Sequence, residues 1–172
     1  DSLRSRGLGD VYKRQMITFQ KIKWKNFLST GDHFSEIDFT KNGTNLIVGT
    51  NGTGKSTVLD ALTFSLFNKP FRKINKSQLI NATNEKDCLV EVEFNINGKQ
   101  YLVRRSIKPN LFEIEVDGQK MHKQADDRAM QKILEENILK VNYKSFTQIV
   151  ILGSSAFVPF MQLSGSNRRE VI

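Results

Sequence analysis

Residues 49–56 read Gly-Thr-Asn-Gly-Thr-Gly-Lys-Ser and meet every constrained position of the pattern G-x-x-x-x-G-K-[ST]. That pattern restricts the fold, because it has to lie between a strand and a helix. The apolar run Leu46, Ile47, Val48 predicts a short strand over 45–48, buried as in a sheet covered on both faces. From Lys55 onward Val58, Leu59, Leu62, Leu66 and Phe67 recur at helical spacing, so the loop feeds a helix N-terminus.

Phosphate chemistry accounts for these residue types. Gly49, Gly52 and Gly54 accept backbone angles closed to other residues, which turns successive N–H groups inward onto phosphates. Thr50 and Thr53 complete the loop. The helix N-terminus adds unpaired donors and a positive field. Lys55 can reach the β- and γ-phosphates as a point charge, Ser56 offers its hydroxyl to magnesium, and Thr57 holds a phosphate oxygen or the helix start. Asn51 either braces the loop or orients the γ-phosphate and the attacking water. Residues 49–57 are therefore the expected nucleotide-binding set, with Lys55 and Asn51 as candidate catalytic groups and Ser56 as the metal ligand. A glycine turn without a ligand would not require three glycines, Lys55, Ser56 and an apolar strand together.

Hydrolysis at such a loop normally uses an acidic residue at the end of a hydrophobic strand, plus a group that positions water. After the loop no run of four apolar residues ends in Asp or Glu, and no D-x-x-G or N-K-x-D sequence occurs. The chain is equipped to bind a nucleotide, and its hydrolytic equipment is incomplete.

The remaining sequence describes one α/β domain. A length of 172 residues suffices for a single sizeable core. No stretch approaches the roughly 20 apolar residues of a membrane-spanning helix and no signal-peptide core is present, so the expected compartment is the cytoplasm. A formal charge of +8 hints at a polyanionic partner. Residues 1–15 show no apolar period and read as a tag, linker or non-native leader before Met16.

The segments from Met16 and over 34–39 are expected strands, with Trp24, Phe27 and Phe34 in the core. Residues 68–87 are expected to loop out around one short helix. Asn97-Gly98 and Asp117-Gly118 mark two hairpins, and Cys88 reads as a buried strand residue. A helix is expected over 126–139, whereas 143–152 reads as either helix or strand. Residues 164–172 start a helix that ends before it has buried anything, which suggests a piece of a longer polypeptide. Lys69, Arg72, Lys73 and Lys76 are either a phosphate-binding patch or a solvated loop, and Arg104 and Arg105 face DNA, another lobe or solvent.

From Met16 to Ile172 the order of elements is distinctive: the opening strand, "KNF", the phosphate loop, "LDAL", the hairpins and "FTQIVILGSSAFVPFMQLSGSNRREVI". In this order the chain resembles the N-terminal ATPase lobe of the SbcC-type, SMC-like subunits of recombination and repair nucleases, above all their T-even-like phage branch. The resemblance implies a P-loop fold of the ABC type split in two, with a mixed sheet and antiparallel hairpins around the P-loop helix. Residues 16–163 would form the N-terminal lobe, and 164–172 would lead toward a coiled coil. It implies ATP and Mg2+ as cofactors. The implied partners are the C-terminal lobe of the same protein, a second head in a homodimer, a metal-dependent nuclease and double-stranded DNA. Lys25 and Asn26 would pass near the nucleotide base. Two departures stand out: Leu28 occupies a position where many cellular relatives have Arg, and Ser154 and Ser155 replace a Gln-Gly pair. Two other readings compete, a self-contained small P-loop kinase or NTPase and a nucleotide-independent DNA-binding module.

Overall fold

The computed structural model describes residues 16–122, 126–151 and 165. The expectations for residues 1–15, for Ser154 and Ser155 and for 166–172 lie outside these residues.

Alternating side chains and two Gly-containing turns build the sheet. Strand β1 (Ile17–Lys25) pairs with β2 (Ser35–Asp38) on one side and with β3 (Cys88–Ile96) on the other. Strands β4 (Lys99–Ile107), β5 (Leu111–Val116) and β6 (Gln119–Lys120) follow as hairpins, giving the order β2-β1-β3-β4-β5-β6 with every pair antiparallel. Both expected turns form. Asn97 and Gly98 have φ of 51° and 87°, and Asp117 and Gly118 have 50° and 78°. This left-handed pair matches the twist of the strands it joins, and Asn, Asp and Gly tolerate it best.

One sheet face is apolar. Ile22, Trp24, Cys88, Val90, Val92, Phe94, Val103 and Ile114 are buried there. The register places Lys23, Glu91, Arg104 and Glu113 side by side across β1, β3, β4 and β5 on the other face. Their charges alternate and pair: Lys23 lies 2.8 Å from Glu91, and Arg104 lies 3.1 Å from Glu91 and 2.6 Å from Glu115. Lys120 closes the row at 2.8 Å from Glu113. Arg104 is thus engaged by carboxylates rather than facing an open anion surface.

Helix α1 (Thr57–Phe67) lies on the apolar face, against β3, β4 and β1. Its buried side carries Thr57, Asp60, Ala61 and Phe64, one helical face at i, i+3, i+4 and i+7. The expected helix forms; of the apolar residues at helical spacing Leu66 and Phe67 are buried, and Val58, Leu59 and Leu62 are half-buried against the core. After a 3-10 turn over Lys76–Leu79, the chain ends its described part in α2 (Asp127–Lys132), a π-helical turn (Ile133–Leu139) and α3 (Tyr143–Ile149). Over 143–149 the ambiguous segment is a helix, capped by Asn142, which accepts from Ser145 N at 2.8 Å; residue 152 lies outside the described residues.

Two expectations fail. No strand forms over 45–48, where Leu46 and Val48 are 86% and 78% exposed. A strand buried on both faces requires a neighbour and a cover, and no described strand runs beside this segment. Phe34 is 46% exposed rather than in the core, with the ammonium groups of Lys23 and Lys25 5.1 and 5.5 Å from its ring centre.

Two predictions follow from this packing. Arg104→Ala strips three carboxylates of their shared cation and lowers stability by about 1–2 kcal/mol in urea unfolding; an unchanged midpoint would remove the ladder from the account. Burial pushes the Cys88 thiol up from 9.0 to about 12, although the nearby charge of Lys76 pulls it the other way. An unfolded thiol ionises first, so the folded state loses stability as pH rises above about 9. Between pH 8 and pH 10 the wild-type chain should lose about 1.4 kcal/mol more than Cys88→Ala.

Candidate nucleotide site

Three backbone constraints shape the loop over 49–56. Gly52 and Gly54 have φ of +88° and +87°, a region that strains any side chain. A Cβ at Gly49 would stand 2.6 Å from Thr53 Oγ1, closer than real contacts allow. Thr53 Oγ1 donates to Thr50 O at 2.8 Å and closes the turn. Lys55 Nζ folds back on the same turn, donating to Gly49 O and Thr50 O at 2.7 Å each. Ser56 stands immediately before α1, yet its hydroxyl makes no cap hydrogen bond. The chemistry of this set fits a phosphate chain with magnesium: a glycine loop with two left-handed glycines, a helix N-terminus, an ammonium group and a hydroxyl not committed to the cap.

A cleft of about 500 Å³ brings Asn51, Gly52, Gly54, Lys55, Ser56 and Thr57 together. Gly49, Thr50 and Thr53 belong to the loop but do not line the cleft. Its other wall consists of Leu28, Ser29, Arg72, Gln78, Ile80 and Ala82. These residues are distant in sequence from the loop. Ser29, Gln78 and Ala82 carry no motif that would have announced them, and Arg72 figured only among the basic residues of 69–76.

Asp60 sets the place of Arg72. Its carboxylate is fully buried, receives Arg72 N at 3.0 Å and Arg72 Nε at 2.6 Å, and leaves the Arg72 side chain 48% exposed. Leu28 and Ser29 are held by a buried polar knot. Asn26, with φ of 49°, donates through its amide to Asp32 Oδ1 at 3.1 Å and accepts from Asn84 Nδ2 at 2.6 Å. Asn81 Nδ2 donates to Leu28 O at 3.0 Å, and Leu28 N to Leu79 O at 2.7 Å. Lys25 and Asn26 are not among the residues that line the cleft: Lys25 pairs with Asp32, and Asn26 is engaged in the knot that holds Leu28 and Ser29 at its wall.

The AAA domain family AAA_23 matches residues 21–170. "Exonuclease subunit 2" of Escherichia phage RB69 is 43% identical over 88% of this chain, and the same share and identity hold for that of Enterobacteria phage T4. "DNA double-strand break repair Rad50 ATPase" of Thermoplasma volcanium is 28% identical over 89% of the chain. The chain spans 27% of the length of each phage relative and 17% of the Rad50 relative. Among solved structures, a chain from work on the ATP-driven dimerization of SMC ATPases shares the fold at a TM-score of 0.60. It has 24% identity, and the match covers 90% of this chain and 96% of that one. The Pyrococcus furiosus Smc head domain reaches a TM-score of 0.51 at 27% identity, over 70% of this chain and 33% of its own. The loop, the helix it feeds and the hairpins that carry the helix thus agree with the sequence comparisons, and the chain belongs to the AAA_23 family of AAA domains, with phage exonuclease subunits and the Rad50 and SbcC ATPases as relatives.

Proposed function

We propose that this chain is the ATP-binding N-terminal half of an SMC-like ATPase head. With a C-terminal lobe, a second head and a metal-dependent nuclease, it would control the processing of double-stranded DNA ends. The observation that carries this reading is the composition of the cleft. Its described walls offer Lys55, Arg72, Ser56 and the glycine loop, and no Asp or Glu. Such a site binds phosphates and requires acidic groups from elsewhere to hold magnesium fully and to activate water. Exposed Leu46, Ile47 and Val48 are an apolar run without cover among the described residues, which supports a further lobe over this segment.

Within the site, residues 49–57 would hold the phosphates. Lys55 exchanges its two carbonyl acceptors for phosphate oxygens, Ser56 ligates magnesium, and Asn51 orients the terminal phosphate. Bound magnesium neutralises phosphate charge. Arg72, steadied by Asp60, presents its remaining N–H donors to the same cleft. Contact with DNA in this reading is to the backbone, insensitive to sequence and weakened by salt.

Calorimetric titration with Mg-ATP tests the proposal. Saturable binding should vanish in Lys55→Ala, whereas retained binding in that variant would falsify the site. Arg72→Ala should weaken the affinity about tenfold, the scale of one charge-assisted contact, while Arg104→Ala leaves it unchanged. Phosphoryl transfer by this chain alone, lost in Lys55→Ala, would instead favour a self-contained kinase or NTPase.

A further inference from the structure

The basic residues that follow α1 do not form one patch. Arg72 lines the nucleotide cleft, whereas Lys69 and Lys76 line a second cavity of about 370 Å³ at the C-terminal end of the helix. There they meet Arg105 of β4 and Arg128 of α2.

Arg105 is unusual for a guanidinium, being only 4% exposed, with its centre 3.7 Å from the Phe112 ring centroid. Nε donates to Ser65 O at 3.0 Å and Nη2 to Gln131 Oε1 at 2.6 Å. These bonds use two of its five N–H donors. Among the described residues none of the four cations has a carboxylate within salt-bridge distance, while Lys69 and Lys76 stand 5.6 and 5.7 Å from the ring centres of Tyr143 and Phe64. Two carboxylates also line the cavity, and both already accept: Glu135 from Gln131 Nε2 at 2.7 Å, Asp127 from Asn110 Nδ2 at 3.4 Å. The charges of Asp127 and Glu135 favour the charged form of Arg105, yet two carboxylates face four cations, and a buried guanidinium with three N–H donors to spare is costly until a further acceptor arrives.

We propose that this cavity binds a phosphate-type oxyanion on the unused edge of Arg105, with Lys76, Lys69 and Arg128 around it. The site is separate from the P-loop and independent of the reading given to that loop. Burial pushes Arg105 down to about 9, and burial with the charge of Arg105 also lowers Lys76. A bound anion reverses both shifts. Free phosphate and a nucleic-acid phosphodiester present the same chemistry to these groups.

The test uses the 172-residue chain carrying Lys55→Ala, so that the P-loop lacks its anchor. The Arg105 Nε–H resonance, assigned by comparison with Arg105→Lys, is followed during titration with inorganic phosphate, pyrophosphate or a blunt DNA duplex at constant ionic strength. The expected result is a saturable shift with Kd of about 1 mM or tighter, weakened about tenfold in Lys76→Gln and in Lys69→Gln. A shift with phosphate or pyrophosphate identifies a free anion as sufficient, and a shift with the duplex alone identifies the backbone. No shift with any of the three overturns the site, as does a shift that is weaker than that Kd or indifferent to both lysine substitutions. Lys76→Gln and Lys69→Gln alter exposed or half-buried side chains, so the outcome does not hinge on whether an Arg105 variant folds.

Discussion

Burial of α1 against β1, β3 and β4 is the constraint from which the candidate site follows. Ala61 and Phe64 are fully buried on the sheet, and the Phe64 ring lies 5.8 Å from that of Phe27. Ala61 is small enough to let the helix approach closely, and burying Phe64 contributes about 1.5–3 kcal/mol. Once the body of the helix is fixed, its two ends acquire different tasks. The N-terminal end meets the glycine loop, and Ser56 and Thr57 there line the cleft. At the other end the carbonyls of Ser65 and Leu66 are met by Arg105 and Gln131, which offset the negative end of the helix.

Much of the buried polar material serves to hold loops at the site rather than to contact a ligand. Asn26, Asn81 and Asn84 tie residues 26–32 to residues 79–87, and Asp60 holds Arg72. An unpaired buried amide or carboxylate is costly, so these groups remain where they are because each has its partners. The consequence is functional. Leu28, Ser29 and Ile80 reach the cleft through residues that never touch it. The outer sheet face follows the same economy, since the Lys23–Glu91–Arg104–Glu113 row neutralises itself and leaves unpaired positive charge to the loops around α1.

Much of this was legible in the residues. The glycine loop needed only its spacing, and the hairpin turns needed only Asn-Gly and Asp-Gly. Each of those rules is steric and acts over a few neighbouring residues. Hydrophobicity alone does not mark the whole face that α1 buries, because Asp60 and Thr63 are buried with polar partners while Leu59 and Leu62 are left at the margin. Phe34 was misjudged as core, because the ammonium groups of Lys23 and Lys25 stand over its ring and leave it exposed.

The sequence alone determined the phosphate loop, the helix after it and the antiparallel hairpins, because local sterics and side-chain alternation leave those segments few conformations. Only the tertiary structure decided which residues face the loop across the cleft. It also decided that Leu46–Val48 lack a strand partner, and that Arg105 is buried beneath a helix end forty residues away in sequence. Pairing and burial depend on what distant segments bring to the same place, and no local pattern records that.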